Sequence, residues 1–228
     1  MPMYRKVDRN FFKEWTLEMA YVLGFFAADG SMVAGSRGNH YISFHSTDRQ
    51  LLVAIRGVLG SNHKIAIHKK AENGSTRNWK PAYQVQIGSR EMFEDLLKLG
   101  MTPNKTSRLK FPDVPVRFLS DFVRGYFDGD GSVSVHTYQK SDRVHPSTVL
   151  LTRFACGSEQ FLASMKERLH ERARLRGGSL KYFGGAWRLG YSVRDSLRLY
   201  DFMYNSPAGG LFLNRKKKVF ERFMEQRR

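Results

Sequence analysis

Two aspartates sit in stretches of nearly the same grammar: Asp29 in GFFAADGSMV (residues 24–33) and Asp130 in GYFDGDGSVSV (residues 125–135). Each ends an apolar, helix-like run and is followed by a glycine, Gly30 or Gly131, ahead of an alternating, strand-like run. A carboxylate at the C-terminal end of a helix faces the negative pole of the macrodipole, which costs about 0.3–1 kcal/mol at an exposed site. A single Asp-Gly step reads as an ordinary turn, its glycine suited to the left-handed cap that stops a helix. Two such steps in a duplicated chain read differently. If the apolar helices pack across a pseudo-twofold, their ends meet and the two acids become neighbours. Carboxylates so placed repel, and a divalent cation bound by their oxygens and by helix-end carbonyls is the simplest compensation. Gly24 and Gly125 occupy matching places inside the two runs. Glycine in a helix costs about 1 kcal/mol relative to alanine, so either the helices are loosely packed there or two backbones approach closely.

The elements that must position these groups occur twice. In the first unit (residues 11–102) Thr16 is a candidate N-cap for the run Leu17–Ala28. HYISFHS, DRQLLVAIRGVLG, KIAIH, AYQVQI and REMFEDLLKLG then read as strand, helix, strand, strand, helix. The second unit (residues 117–228) repeats the order, which sets Phe44 against Phe154, Val85 against Leu189 and Arg90 against Arg194. Between them, residues 103–116 carry Pro103, Pro112 and Pro115 and read as an extended connector. The closing segment LNRKKKVFERFMEQRR reads as a helix with Val219, Phe220 and Phe223 on its apolar side.

At 228 residues and 41% hydrophobic, the chain can bury a core as one domain or two small halves, which excludes a disordered tail. Lys plus Arg number 38 against 21 acids, a net charge of +17. That excess favours a polyanionic partner, nucleic acid first, with a ribosome-associated or membrane-surface role as the plainer alternative. Cys156 is the sole cysteine and cannot form an internal disulfide, and the longest apolar run, Met19–Ala28, is too short to span a bilayer. A soluble, intracellular protein is expected. DGDGSVSVHTYQ lacks the terminal glutamate of a calcium loop, ending in Gln139, and the histidines show no zinc spacing.

VLGFFAADG (residues 22–30) and VRGYFDGDG (residues 123–131) resemble the nine-residue signature of the LAGLIDADG homing endonucleases, and two copies resemble the monomeric members. The first copy departs at Ala27, where the second has Asp128. The resemblance implies an α+β fold of two pseudo-symmetric αββαββα repeats, each a four-stranded antiparallel sheet with helices on one face, together forming a DNA-binding saddle. It further implies Mg2+-dependent cleavage of both strands of a long DNA target to leave a staggered break, with Ca2+ or Mn2+ able to occupy the site. Asp29 and Asp130, with the backbone carbonyls of Ala28 and Gly129, would be the metal ligands. Lys105 and Lys216 match the family's metal-proximal lysines; a phosphate-contacting or solvated lysine is the alternative. Ser46 and Cys156 fall where the family often has glutamine. An RNA-splicing maturase or a non-cleaving DNA-binding regulator would use the same fold.

Strand parity assigns side chains to the DNA face. With Tyr83, Val85 and Ile87 helix-covered, Gln84 and Gln86 face outward and suit adenine; with Trp187, Leu189 and Tyr191 inward, Arg188 faces outward and suits guanine. The same parity exposes Ser43, His45, Ala66, Ser134, His136, Arg153 and Lys181. The loops supply Arg37, Lys69, Lys70, Arg77, Lys80, Lys140 and Arg143 for phosphate or outer-base contacts.

Overall fold

The computed structural model describes residues 5–35, 38–68, 81–139, 144, 146–205 and 210–227. Its elements are α1 (Leu17–Asp29), β1 (Gly30–Ala34), β2 (His40–Ser46), α2 (Arg49–Val58), β3 (Ile65–His68), β4 (Ala82–Gly88) and α3 (Arg90–Lys98). After the connector come α4 (Leu119–Asp130), β5 (Gly131–Tyr138), β6 (Ser147–Cys156), α5 (Glu159–Arg172), β7 (Ser179–Phe183), β8 (Ala186–Tyr191), α6 (Val193–Tyr204) and α7 (Asn214–Glu225). The strands form two antiparallel sheets of the same topology, ordered β1-β2-β4-β3 and β5-β6-β8-β7. The registers repeat as well. Phe44 pairs with Gly30 and Val85, and Phe154 pairs with Gly131 and Leu189, the equivalence read from the sequence.

Local sequence accounts for most boundaries. Thr16, Asp48, Ser89 and Ser158 have extended backbones, and their side chains accept from the backbone N–H of Met19, Leu51, Met92 and Phe161, which satisfies donors that the first turn leaves open. α1 is buried at every position from Met19 to Ala27, because it is enclosed on all sides rather than laid on one surface. The connector contains 3-10 turns at Lys105–Ser107 and Val116–Phe118. It buries Leu109 and Val114 and packs the Phe111 ring edge-on 5.1 Å from Phe122 and tilted 5.3 Å from Phe161.

The two repeats meet where α1 crosses α4, and glycine makes the crossing possible. A Cβ on Gly24 would lie 2.0 Å from the Phe122 carbonyl oxygen, and one on Gly125 would lie 2.0 Å from that of Tyr21. The contacts are reciprocal, as a pseudo-twofold requires. Gly30 and Gly131 correct an expectation. Their φ values are −92° and −89°, extended rather than left-handed. A Cβ there would strike the helix's own Phe26 or Phe127 ring at 2.3 Å, so these glycines serve close packing, and each N–H donates to that phenylalanine's carbonyl.

Candidate metal centre and nucleic-acid interface

The crossing of α1 and α4 brings their C-terminal ends together. A Cβ on Gly129 would sit 2.4 Å from Ala28 Cβ and 3.2 Å from Asp29 Oδ2, so the Asp29 carboxylate lies against the backbone of the opposite repeat. Burial, with the Asp130 charge behind it, pushes the Asp29 carboxyl up to about 6. Asp130 is the more open of the two, yet the protein around it also raises its carboxyl above the ordinary range. Lys105 and Lys216 act on both acids in the opposite sense, so these four residues form one electrostatic unit.

The lysines occupy related places. The Lys105 ammonium donates to the carbonyl of Gly30 and lies 5.7 Å from the Phe26 ring centre. That of Lys216 donates to the carbonyl of Gly131 at 2.6 Å and lies 5.1 Å from the Phe127 ring. Lys216 does more. It also donates to the carbonyls of Phe127, Asp128 and Gly129, at 2.6, 2.8 and 3.3 Å, gathering the acceptors at the end of α4, where the helix presents its negative pole. Both side chains are largely buried, which lowers both pKa values, that of Lys216 to about 8.

Among the described residues no cluster of three or more His, Cys, Asp or Glu side chains could hold a metal. What the helix ends offer is a pair of crowded carboxylates and neighbouring carbonyls, an all-oxygen donor set whose like charge Lys105 and Lys216 offset only in part. Such a set fits a hard divalent cation of the Mg2+ or Ca2+ kind and no thiolate- or imidazole-seeking ion.

Each sheet turns one face to its helices and leaves the other open. Ile42, Phe44, Val85 and Ile87 are buried on the covered side of the first sheet, and Phe154, Leu189 and Tyr191 on that of the second. The register groups Ser31, Ser43, His45, Gln84 and Gln86 on the first open face. Ser134, His136, Arg153, Lys181 and Arg188 share the second.

A family model described as a LAGLIDADG-like domain matches residues 16–99, which is α1 through α3. Homing endonuclease I-ApeI of Aeropyrum pernix is 26% identical over 184 residues, spanning 75% of this chain and 74% of that one. The DNA-directed RNA polymerase subunit Rpo1C of Methanocaldococcus jannaschii is 24% identical over 147 residues; the match takes in 60% of this chain but only 16% of that much longer protein. The meganuclease I-AabMI bound to uncleaved DNA superposes with a TM-score of 0.60 at 14% identity, covering 90% of this chain and 88% of that chain. Full-length DUF199/WhiA from Thermatoga maritima gives 0.56 at 16% identity, covering 97% of this chain and 65% of that chain. Residues 16–99 thus match a LAGLIDADG-like domain, and the chain as a whole shares the two-repeat fold of these meganucleases.

Asp29, inside the matched residues, and Asp130, in the second repeat, close the paired helices, and Ala28 and Gly129 touch between them. Of the residues assigned to the open faces, Gln86, His136, Arg153 and Lys181 are exposed, while His45, Gln84 and Arg188 are half-buried. Ser43 is a correction. It is only 3% exposed, because it lies between two neighbouring strands, and its hydroxyl accepts from Gln84 Nε2 at 3.1 Å. Arg37, Lys69, Lys70, Arg77, Lys80, Lys140 and Arg143 lie outside the described residues. No helix among the described residues is long and apolar enough to cross a membrane.

Sequence reasoning missed a buried polar set on α4. Arg124 pairs with Asp121 at 2.6 Å and donates to the carbonyls of Met203 and Leu211. Asp128 Oδ2 accepts from the Tyr21 hydroxyl and from the Leu213 N–H, both at 2.7 Å. Its Oδ1 is buried with no hydrogen-bond partner among the described residues, and burial pushes the carboxyl up to about 6. The available signal was the helical spacing of 121, 124 and 128, which puts all three on one face of α4.

Proposed function

We propose that this chain is a site-specific endonuclease that hydrolyses one phosphodiester in each strand of a DNA duplex with Mg2+ as the divalent ion. The observation that carries the reading is the meeting of two carboxylates, one from each repeat, at helix ends flanked by Lys105 and Lys216. The fold alone does not carry it, since it is shared with chains as differently named as I-AabMI and WhiA. The names of I-ApeI and of the DNA-bound meganucleases support it.

Residues 11–102 and 117–228 would each contribute one half of a single-chain saddle, so no second copy is needed. Asp29 serves one strand and Asp130 the other, with the carbonyls of Ala28 and Gly129 completing the oxygen donors. Bound there, the ion supplies Lewis-acid charge and a more acidic water. The two acids hold their ionised form only by losing protons that burial favours, so ion uptake is coupled to proton release. Lys105 and Lys216 keep positive charge beside the reacting phosphates. Two such centres related by one pseudo-twofold act on opposite strands and yield a staggered break.

The test uses plasmid carrying targets selected from a randomised library. The wild-type protein with Mg2+ is expected to linearise it, and Asp29→Asn and Asp130→Asn are each expected to abolish linearisation while DNA binding persists. Undiminished linearisation by both variants overturns the assignment. Affinity is also expected to fall steeply with salt, as phosphate neutralisation demands.

A further inference from the structure

The start of α7 is held by a residue remote in the chain. Its N-cap is Leu213, which offers no side-chain cap, and the helix opens on Asn214, Arg215, Lys216 and Lys217, cations at a positive pole with no acid in the first turn. The missing anion comes from α4. Asp128 Oδ2 accepts from the Leu213 N–H at 2.7 Å, and the backbone carbonyl of the same Asp128 accepts from Lys216 Nζ at 2.8 Å. Between these two bonds the Lys216 N–H donates to the Leu213 carbonyl at 2.9 Å, so one residue of α4 grips the first turn of α7 at both ends. The Tyr21 hydroxyl, from the first repeat, donates to that same Oδ2 at 2.7 Å and fixes the carboxylate in turn. Arg124, one turn earlier on α4, binds the carbonyls of Met203 at 2.7 Å and Leu211 at 2.9 Å and lies 5.5 Å from the Tyr21 ring centre.

Stability alone does not account for this set. Asp121, Arg124 and Asp128 are at most 4% exposed, and a buried ion pair is often replaced by packed apolar groups without loss. α1 has Ala20, Leu23 and Ala27 at the equivalent positions and is buried along its length all the same. Directional bonds add what apolar packing does not, a fixed place for the segment they meet, and that segment leads to Lys216. Lys105 reaches the Gly30 carbonyl from a connector packed by Leu109, Phe111 and Val114.

Resting on the endonuclease reading, we propose that Asp128 is a positioning residue for Lys216, acting with Tyr21 and Arg124, and that cleavage of one strand depends on this docking while cleavage of the other does not. Asp128 acts by fixing where the Lys216 ammonium stands. A hydroxyl of one repeat thereby helps to place the lysine of the other.

The experiment follows the lysine and the chemistry separately. In the ion-free protein, labelling with an amine-reactive reagent and peptide mass spectrometry are expected to spare Lys105 and Lys216, 9% and 5% exposed, relative to exposed Lys218. Asp128→Ala is expected to raise Lys216 labelling by about tenfold to a hundredfold, the local opening that loss of buried hydrogen bonds permits, and to leave Lys105 protected. Asp128→Asn keeps an oxygen acceptor and restores most of the protection. Cleavage is then followed on a duplex with each strand labelled. Asp128→Ala is expected to slow the strand that Lys216→Ala slows, by about tenfold to a hundredfold in kcat with KM little changed, and to add nothing once Lys216 is already alanine. The other strand keeps its rate, so nicked duplex accumulates. Should Asp128→Ala fail to fold, Tyr21→Phe carries the same test with a smaller effect. Lys216 labelling that these variants leave unchanged overturns the inference, as do equal slowing of both strands or an Asp128 effect that adds in full to Lys216→Ala. A wild type that cuts neither strand removes the endonuclease reading and the strand dependence with it, while labelling still decides the placement of Lys216.

Discussion

α1 and α4 are equivalent helices with different interiors. Where α4 buries Asp121, Arg124 and Asp128, α1 has Ala20, Leu23 and Ala27 at the corresponding positions. Yet Gly24 and Gly125, Phe26 and Phe127, and Gly30 and Gly131 match in residue and in contact. The division teaches what the duplication must keep. Residues at the crossing are fixed by a geometry both repeats share, and neither can change alone. The polar set answers a need that only the second repeat has. Its C-terminal segment must be docked, through Met203, Leu211 and Leu213, for α7 to bring Lys216 to the helix end. Lys105 arrives by the connector directly after α3 and manages with one carbonyl.

If the crossing is the shared part, damage to it should be symmetric and large. Gly24→Ala and Gly125→Ala each force a methyl into a backbone carbonyl of the other helix, where no side chain can move aside. Each is expected to lose at least about 3 kcal/mol, at the upper end for overpacked sites, measured by denaturant unfolding. Clearly unequal losses would break the equivalence of the two helices.

Damage to the polar set should be one-sided. Asp128→Ala strips the acceptor from the buried Tyr21 hydroxyl and the Leu213 N–H, an expected loss of about 1–3 kcal/mol. Hydrogen exchange should place the loosening in α7 while α3 stays protected. Uniform loosening of both repeats would show that Asp128 supports the crossing rather than the docking of α7.

The parts legible in the sequence were those repeated at a fixed distance. Period-two alternation gave the faces of β4 and β8, the paired Asp-Gly steps gave the ends of α1 and α4, and the shared glycines gave the close approach. Hidden were the parts made by contacts between segments remote in the chain. Nothing local to Asp128 says that its acceptor oxygen meets Tyr21 and Leu213, and parity alone gave Ser43 to the surface although its strand neighbours cover it. Gly30 and Gly131 show a further limit. A glycine after a helix suggests a backbone conformation, whereas here the reason is the phenylalanine ring one turn back.

The acids at the two helix ends sharpen the comparison through their titration. Burial first and Asp130 second hold Asp29 at about 6, so Asp130→Asn, which removes a like charge, is expected to lower the Asp29 value in the ion-free protein. Carboxylate NMR reads this directly, and an unchanged value would separate the two acids. The sign for stability follows. The folded state holds the Asp29 proton more tightly than the unfolded chain, whose value is near 3.8. Stability is therefore greatest below that range and is lost as pH rises through about 6. Asp128, also raised to about 6, contributes in the same direction. On the proposed metal site Mg2+ would favour ionised Asp29, so it is expected to offset the loss above pH 6 and to have little effect well below it.

The smallest effect tests a position with no part in the crossing. Gly57 lies in the last turn of α2, exposed, with nothing within 4 Å of where a Cβ would be. Counting from the helix caps Asp48 and Ser158, its counterpart in α5 is Glu167, also exposed. The second repeat thus carries a full side chain at a place where the first has none. Gly57→Ala is expected to stabilise the protein by about 0.5–1 kcal/mol, the ordinary gain for replacing an exposed helical glycine. Thermal unfolding would show it as a modest rise in Tm. A loss instead would mean that α2 lies against something at this face. A gain would show that helical glycine is held in place only where α1 and α4 cross.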